Sequence, residues 1–179
     1  LCMAMMLSLF SGITVLAAEK AASGEEDKVL FSTRFKTQEE FSNFADVPVE
    51  VSATLKYGNS AEDVSALIDG STSTKLCATG GVKVPLEFTF YYNAPTTASN
   101  YYISGANDDE GNPGRTLNSW ELYGKNDQAG EWTPLDKQSN QTGWKNYEMR
   151  VFQLPEGSGY QHYKLKITKF NSDPGTIQF

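Results

Sequence analysis

The sequence predicts an all-β domain, an antiparallel sandwich or barrel, on three observations. From Val84 onward apolar and polar residues alternate with a period of two, the period of a half-buried strand and not of a helix. Turn-rich pieces (YNAPTTASN, DDEGNPGR, NDQAGEW and PEGSG) separate the alternating runs. No βαβ rhythm, internal repeat or heptad pattern competes with that assignment.

Taken in chain order, the first element is LCMAMMLSLFSGITVLAA, residues 1–18, which carries no charge. It is long enough to weigh as a membrane span, but Ser8, Ser11, Gly12 and Thr14 interrupt it. It closes on Val15, Ala17 and Ala18, the small-residue spacing of a signal-peptidase site. The segment reads as a secretory signal whose basic start is missing; its removal leaves no stable span and a secreted or cell-surface domain. Residues 19–46 read as a charged, flexible leader with one short helix, Thr37 and Glu40 forming a capping box and Phe41 and Phe44 sharing a face. SAEDVSAL reads as a second short helix, with Ser60 as cap and Asp63 at the third position. The strands follow within 47–179: VPLEFTFYY with Leu86, Phe88 and Phe90 on one side, then SNYYISGAN, SWELYGKND, NYEMRVFQL and YQHYKLKIT. SWELYGKNDQAGEW is a hairpin by its own chemistry, a strand carrying Trp120, Leu122 and Tyr123, a Gly/Asn/Asp turn, then Trp132. The closing GTIQF reads as a strand cut short.

A net charge of −7 and a pI near 4.7 argue against a nucleic-acid partner and favour a neutral or cationic ligand. Removal of the signal takes Cys2 with it, and Cys77 is left without an intramolecular disulfide partner; it reads as a small buried hydrophobe. With one histidine, His162 on a strand face, and no nucleophile elbow or Cys/His pairing, the chain does not read as an enzyme. Asp108, Asp109 and Glu110 are consecutive and read as a solvated loop, because neighbouring residues rarely converge on one point. Trp120 and Trp132 read as core, the large inward side chains a sandwich of this size needs. One stretch asks for more: Asp69-Gly70 already makes a turn, yet four hydroxyl residues, Ser71 to Thr74, follow it.

Three segments in order, ALIDGSTSTKLC, YISGANDDEGNPGRTLNSWELYGKNDQAGEWTPLD and YQHYKLKITKFNSDPGTIQF, resemble the discoidin domain, the coagulation-factor C-type domain. Its bacterial members include the family 32 carbohydrate-binding modules, with a galactose-binding-like fold. The resemblance covers about Val47 to Phe179 and implies a jelly-roll β-sandwich of about eight strands. It also implies a structural Ca²⁺ site at the hydroxyl-rich turn: the Asp69 carboxylate, the Thr74 hydroxyl and carbonyl, and the Ser71 carbonyl. The family's further ligand, a Glu, falls beyond the position matched by Gln178, so the site is expected to be incomplete in this sequence. The alternative is that Asp69 only caps its turn.

For ligand binding, loops at one end of the sandwich are implied. Arg115 and Asn112 are the candidate readers of sugar hydroxyls, Arg115 by its planar donor fork. An internal clamp on a neighbouring carboxylate is the other reading of Arg115. Tyr92, or Trp144 in a polar loop beside Gly143, is the candidate stacking platform. Thr116-Leu117 replaces the family's common Asp-Pro, and Leu76 stands where many relatives have Trp, so no specific sugar follows. The implied function is a non-catalytic carbohydrate-binding module for a glycan, galactose-type in the family. It would be a monomeric domain of a larger protein, often a glycoside hydrolase. An adhesion domain binding protein or a lipid headgroup is the alternative on the same fold.

Overall fold

The computed structural model describes residues 29–32, 50–59, 62–69, 71, 74–172 and 175–179. The signal segment, the Thr37–Phe44 helix and the Ser60 cap lie outside the described residues. Ten strands are described: β1 Val29–Ser32, β2 Glu50–Ser52, β3 Cys77–Thr79, β4 Leu86–Thr97, β5 Asn100–Ser104, β6 Leu117–Lys125, β7 Thr133–Gln138, β8 Met149–Gln153, β9 Gly159–Phe170 and β10 Thr176–Gln178. They form a five-stranded sheet in the order β2-β4-β9-β6-β7, a three-stranded sheet β1-β5-β8 and the pair β10-β3. Every pairing is antiparallel except β1 with β5, which run parallel. The all-β sandwich expected from the alternating pattern is thus present, with one parallel pair that hairpin signals do not encode.

Alternation places the core. On β4, Leu86, Phe88, Phe90 and Tyr92 point inward; on β9, Tyr163, Leu165 and Ile167; on β6, Trp120 and Leu122. Tyr101, Ile103 and Phe152 from the three-stranded sheet, and Ala78, Ile177 and Phe179 from the β3 and β10 region, complete the same apolar cluster. Phe88 meets Phe179 edge-to-face at 5.6 Å, and Trp120 meets Phe152 edge-to-face at 5.1 Å. The polar atoms of the buried rings at the centre of this cluster are paired in series: Trp120 Nε1–H donates to Tyr101 Oη (2.8 Å), which donates to Asp136 Oδ2 (2.6 Å).

Three expectations change. β1 lies inside the segment read as flexible leader, where Leu30 is fully buried and its carbonyl accepts the Tyr92 hydroxyl. β4 runs on to Thr97 through part of the turn-rich piece YNAPTTASN, with a register shift between Tyr91 and Thr96 that absorbs Pro95. The helical reading of SAEDVSAL reduces to a 3-10 turn, Val64–Leu67, capped by Asp63, whose Oδ1 accepts from Ser65 N–H.

Candidate functional site

At the end of the sandwich where β6 begins and β9 finishes, three loops are bonded into one rim. Ser172 N–H donates to Gly114 O (3.1 Å) and Asn171 N–H to Thr116 O (3.0 Å). Gln141 N–H reaches Asn118 O (2.9 Å), Tyr147 N–H reaches Ala106 O (3.0 Å) and Gly105 N–H reaches Glu148 O (2.7 Å). The Asn171 amide shares its hydrogens among Thr116 Oγ1 (2.7 Å), Gln141 O (3.1 Å) and Leu117 O (3.2 Å), tying all three loops at one residue. Gly105 has to be a glycine: a Cβ there would stand 2.6 Å from the Lys145 carbonyl oxygen and 2.7 Å from Asp109 Oδ2.

The acidic triplet is divided between two environments, which corrects its reading as a solvated loop. Asp109 is 0% exposed; Gln178 Nε2–H (2.8 Å) and Ala106 N–H (2.7 Å) donate to its two oxygens, and burial pushes its carboxyl above the ordinary range. Asp108 is half-exposed. Burial would raise it, but the Lys75 ammonium at 2.8 Å, the Gln178 amide and the Arg115 charge prevail and hold it below the usual range. Glu110 pairs with Lys145 at 3.3 Å, and its N–H donates to Asn146 Oδ1.

The candidate readers, Arg115 and Asn112, come together on this loop around Asp108. Asn112 donates to the Asp108 carbonyl and to its Oδ2 (both 3.1 Å), and an Arg115 guanidinium nitrogen stands 3.8 Å from the same carboxylate oxygen. That is the internal-clamp geometry, held loosely enough to leave Arg115 part-exposed. The candidate platforms are both withdrawn. Tyr92 is 0% exposed, with its hydroxyl on Leu30, and Trp144 is 4% exposed, its Nε1–H on the Leu117 carbonyl (2.8 Å). Trp132, read as core, instead lies half-buried with two lysine ammoniums over its ring.

The ring this rim does present is Tyr147, which is 46% exposed. Its backbone is left-handed, φ 58°, uncommon for a bulky residue, and the hydrogen bonds on either side hold it there. A signal for it existed in the sequence, since KNYEMR turns from polar to alternating at Tyr147, but the neighbouring Trp144 was the larger ring. A hollow of about 550 Å³ opens on the same end between residues 82–84 and 168–172. Lys83, Lys169, Asn171 and Ser172 give it polar walls, and Val82 and Val84 give it an apolar floor.

At the hydroxyl-rich turn, Asp69 folds back on its own loop. Ser71 N–H donates to Asp69 Oδ1 (2.8 Å), and the Thr74 hydroxyl lies 2.9 Å from Oδ2 and 3.1 Å from Oδ1. Asp69 and Thr74 thus converge as an oxygen-only donor pair of the hard type that Ca²⁺ takes. Among the described residues no group of three or more His, Cys, Asp or Glu side chains is placed to hold a metal ion. The Ser71 and Thr74 contacts are both of the kind by which an Asp caps its own turn, the alternative reading of Asp69.

A two-layer β-sandwich with loops gathered at its ends is the frame of galactose-binding-like domains, and the comparison with solved structures places the chain in that fold. It superposes on chitosan-binding module 1 of a chitosanase/glucanase from Paenibacillus sp. IK-5 with a TM-score of 0.54, 14% identity, and coverage of 72% of this chain and 89% of that one. The family 32 carbohydrate-binding module of C. perfringens NanJ, solved with galactose, aligns with a TM-score of 0.52 at 17% identity, covering 72% and 87%. A module of Clostridium perfringens GH89, solved with GalNAc-β-1,3-galactose, aligns with a TM-score of 0.51 at 15% identity, covering 72% and 88%. No family model matches the sequence, and no curated protein matches it. The shared property is the fold, which agrees with the resemblance drawn from the motifs.

Proposed function

We propose that this chain is a non-catalytic carbohydrate-binding module that holds a glycan on the rim built by loops 105–116 and 143–148. The observation that carries the reading is Tyr147, a ring kept exposed by a strained backbone, beside a loop that carries Arg115 and Asn112. A pyranose needs an apolar plate for its C–H face and planar polar groups for its hydroxyls, and those three side chains are of the right kinds. The solved neighbours bound to galactose and GalNAc-β-1,3-galactose support a galactose-type ligand. The chitosan-binding neighbour, with the acidic charge of the chain, makes an amino sugar the second candidate. Secretion and attachment to a larger protein belong to the same reading.

Ca²⁺ belongs to it as a structural ion at Asp69, Ser71 and Thr74. Phe179 exchanges backbone bonds with Leu76 (3.0 and 3.2 Å). In a chain continuing past Phe179, the same antiparallel register would carry the next residues past Lys75 toward Thr74, where a further carboxylate ligand would be useful. When bound, the ion would supply rigidity to the turn and take no part in ligand chemistry.

A glycan array followed by calorimetry with galactose, GalNAc and chitooligosaccharides tests the reading. Sugar-inhibitable binding that is lost in Tyr147→Ala supports it; binding confined to protein or lipid moves the chain to the adhesion alternative. For calcium, a melting-temperature rise that Asp69→Ala removes is expected in a chain extended beyond Phe179, and no rise with excess Ca²⁺ would remove the site.

A further inference from the structure

The two carboxylate oxygens of Asp108, on the rim loop, have different duties. Oδ1 accepts from the Lys75 ammonium at 2.8 Å, and the same ammonium reaches Gln178 Oε1 at 3.3 Å. The Lys75 side chain is only 14% exposed, so its charge is committed to these partners rather than to solvent. Oδ2 accepts an Asn112 amide hydrogen at 3.1 Å, while the nearest Arg115 guanidinium nitrogen stops 3.8 Å away. The Asp108 and Arg115 side chains are each 38% exposed, so this side of the carboxylate is open to a ligand.

These bonds fix what each group can offer. Asn112 Nδ2 donates to the Asp108 carbonyl and to Oδ2, two acceptors that a flipped amide could not serve, so Asn112 Oδ1 is the atom left to face a ligand. The Arg115 side chain donates no hydrogen bond among the described residues, and its fork is open. At 3.8 Å, Arg115 and Asp108 Oδ2 are too far apart for a direct hydrogen bond, yet one atom at about 2.8 Å from each closes the gap. That atom must accept from Arg115 and donate to Asp108. A hydroxyl does both. An ammonium has no lone pair for the arginine, and an ether oxygen has no hydrogen for the carboxylate.

We propose that Asp108 is a third reader on the rim, bridged to Arg115 by one free hydroxyl of a galactose-type sugar, and that Lys75 is the residue that positions it. The proposal rests on the rim being the glycan site and adds the group recognised there: an unsubstituted hydroxyl, with Asn112 Oδ1 accepting from its neighbour. The charged and titratable groups around Asp108 are Lys75 and Cys77 on the β3 side and Arg115 and Asp109 on its own loop, with the neutral Gln178 amide from β10. Burial pushes the Cys77 thiol up, which keeps it uncharged. Burial also opposes ionisation of Asp108, but the Lys75 hydrogen bond and charge lead the effects that hold its carboxyl below the ordinary range. A bridge that needs the carboxylate is therefore lost only as pH falls through that lowered value, and removing Lys75 moves the loss to higher pH.

The test is calorimetry of the purified chain with methyl β-D-galactopyranoside and its mono-O-methyl ethers at each hydroxyl. One ether should bind at least tenfold more weakly than the glycoside. In Asp108→Asn the amide oxygen stays on Lys75 and the NH₂ group replaces Oδ2, so the glycoside should weaken at least tenfold and its advantage over that ether should vanish. Lys75→Met should move the acid limb of glycoside affinity to higher pH, whereas a merely structural loss would lower affinity equally at every pH. If Asp108→Asn melts early, the ether series on the parent chain still decides. Ethers that all bind as well as the glycoside, or a preference that survives in a folded Asp108→Asn, would overturn the role of Asp108. An unmoved acid limb in Lys75→Met would overturn that of Lys75. A parent chain that does not bind the glycoside overturns the proposal, while the rim reading stands or falls separately on the effect of Tyr147→Ala across the glycan array.

Discussion

The guanidinium of Arg150 lies 4.0 Å from the centre of the Trp144 ring, and the pair closes the loop that was expected to carry an exposed tryptophan. The same guanidinium donates to Glu148 Oε1 (2.9 Å), Gln141 Oε1 (3.0 Å) and the Thr142 carbonyl (2.9 Å). Arg150 therefore works as a bolt across residues 141–150. Arg150→Ala should cost on the order of 2 kcal/mol, combining a partly desolvated cation–π contact with hydrogen bonds to a charged group. Arg150→Lys should recover little of it, because a point charge cannot stack and reach three acceptors together. Urea denaturation of the two variants checks both statements.

Glu148 gives this bolt a pH dependence. The Arg150 hydrogen bond, first among the causes, holds its carboxyl below the ordinary 4.5, with the Lys145 N–H assisting and partial burial opposing. In the window below 4.5 the unfolded chain binds the proton more readily than the folded one, so stability falls as pH falls through the folded value. Glu148→Gln should lower stability at neutral pH and flatten the acid limb of the stability curve. A variant whose acid limb matches that of the parent chain would contradict this.

Tyr147 and Trp144 should separate function from stability. Trp144→Ala empties a buried site and should cost about 3–5 kcal/mol, as large-to-small core changes do. Tyr147→Ala removes a part-exposed ring and should change the melting temperature little while removing glycan binding. Thermal melts and calorimetry on both proteins give the comparison. Equal loss of stability in both would mean that the Tyr147 ring is structural.

The contrast between these two rings shows what could be read from residues alone. Alternation identified Phe88, Phe90, Trp120 and the hairpin leading to Trp132, because strand period and turn chemistry are local. It could not say which aromatic in GWKNY faces outward, since that depends on Leu117 offering a carbonyl to one ring and Ala106 fixing the backbone of the other. Tyr92 was misplaced for a similar reason: its partner, the Leu30 carbonyl, sits on a parallel strand far away in sequence. The grouping of Arg115 and Asn112 was legible because a single loop carries both. That Asp109 would be sealed beneath Gln178 was not, because the contact joins residues 69 positions apart in the chain.

The Asp109–Gln178 bond ties the rim loop to β10, and its removal should be felt through charge. Gln178→Ala would leave a fully buried carboxylate with one donor, a loss of about 1–3 kcal/mol for an unsatisfied buried group. Burial already raises the Asp109 carboxyl above its ordinary 3.8, and loss of the amide donor raises it further. A carboxyl raised by folding favours the folded state while protonated and loses that advantage as pH rises from 3.8 through the folded value. The Gln178→Ala penalty should therefore be larger at neutral pH than near 3.8, the opposite slope to that of the intact Glu148 bolt. Denaturation curves at the two pH values distinguish them: a penalty independent of pH would mean that Asp109 gains a new donor or that water enters the site.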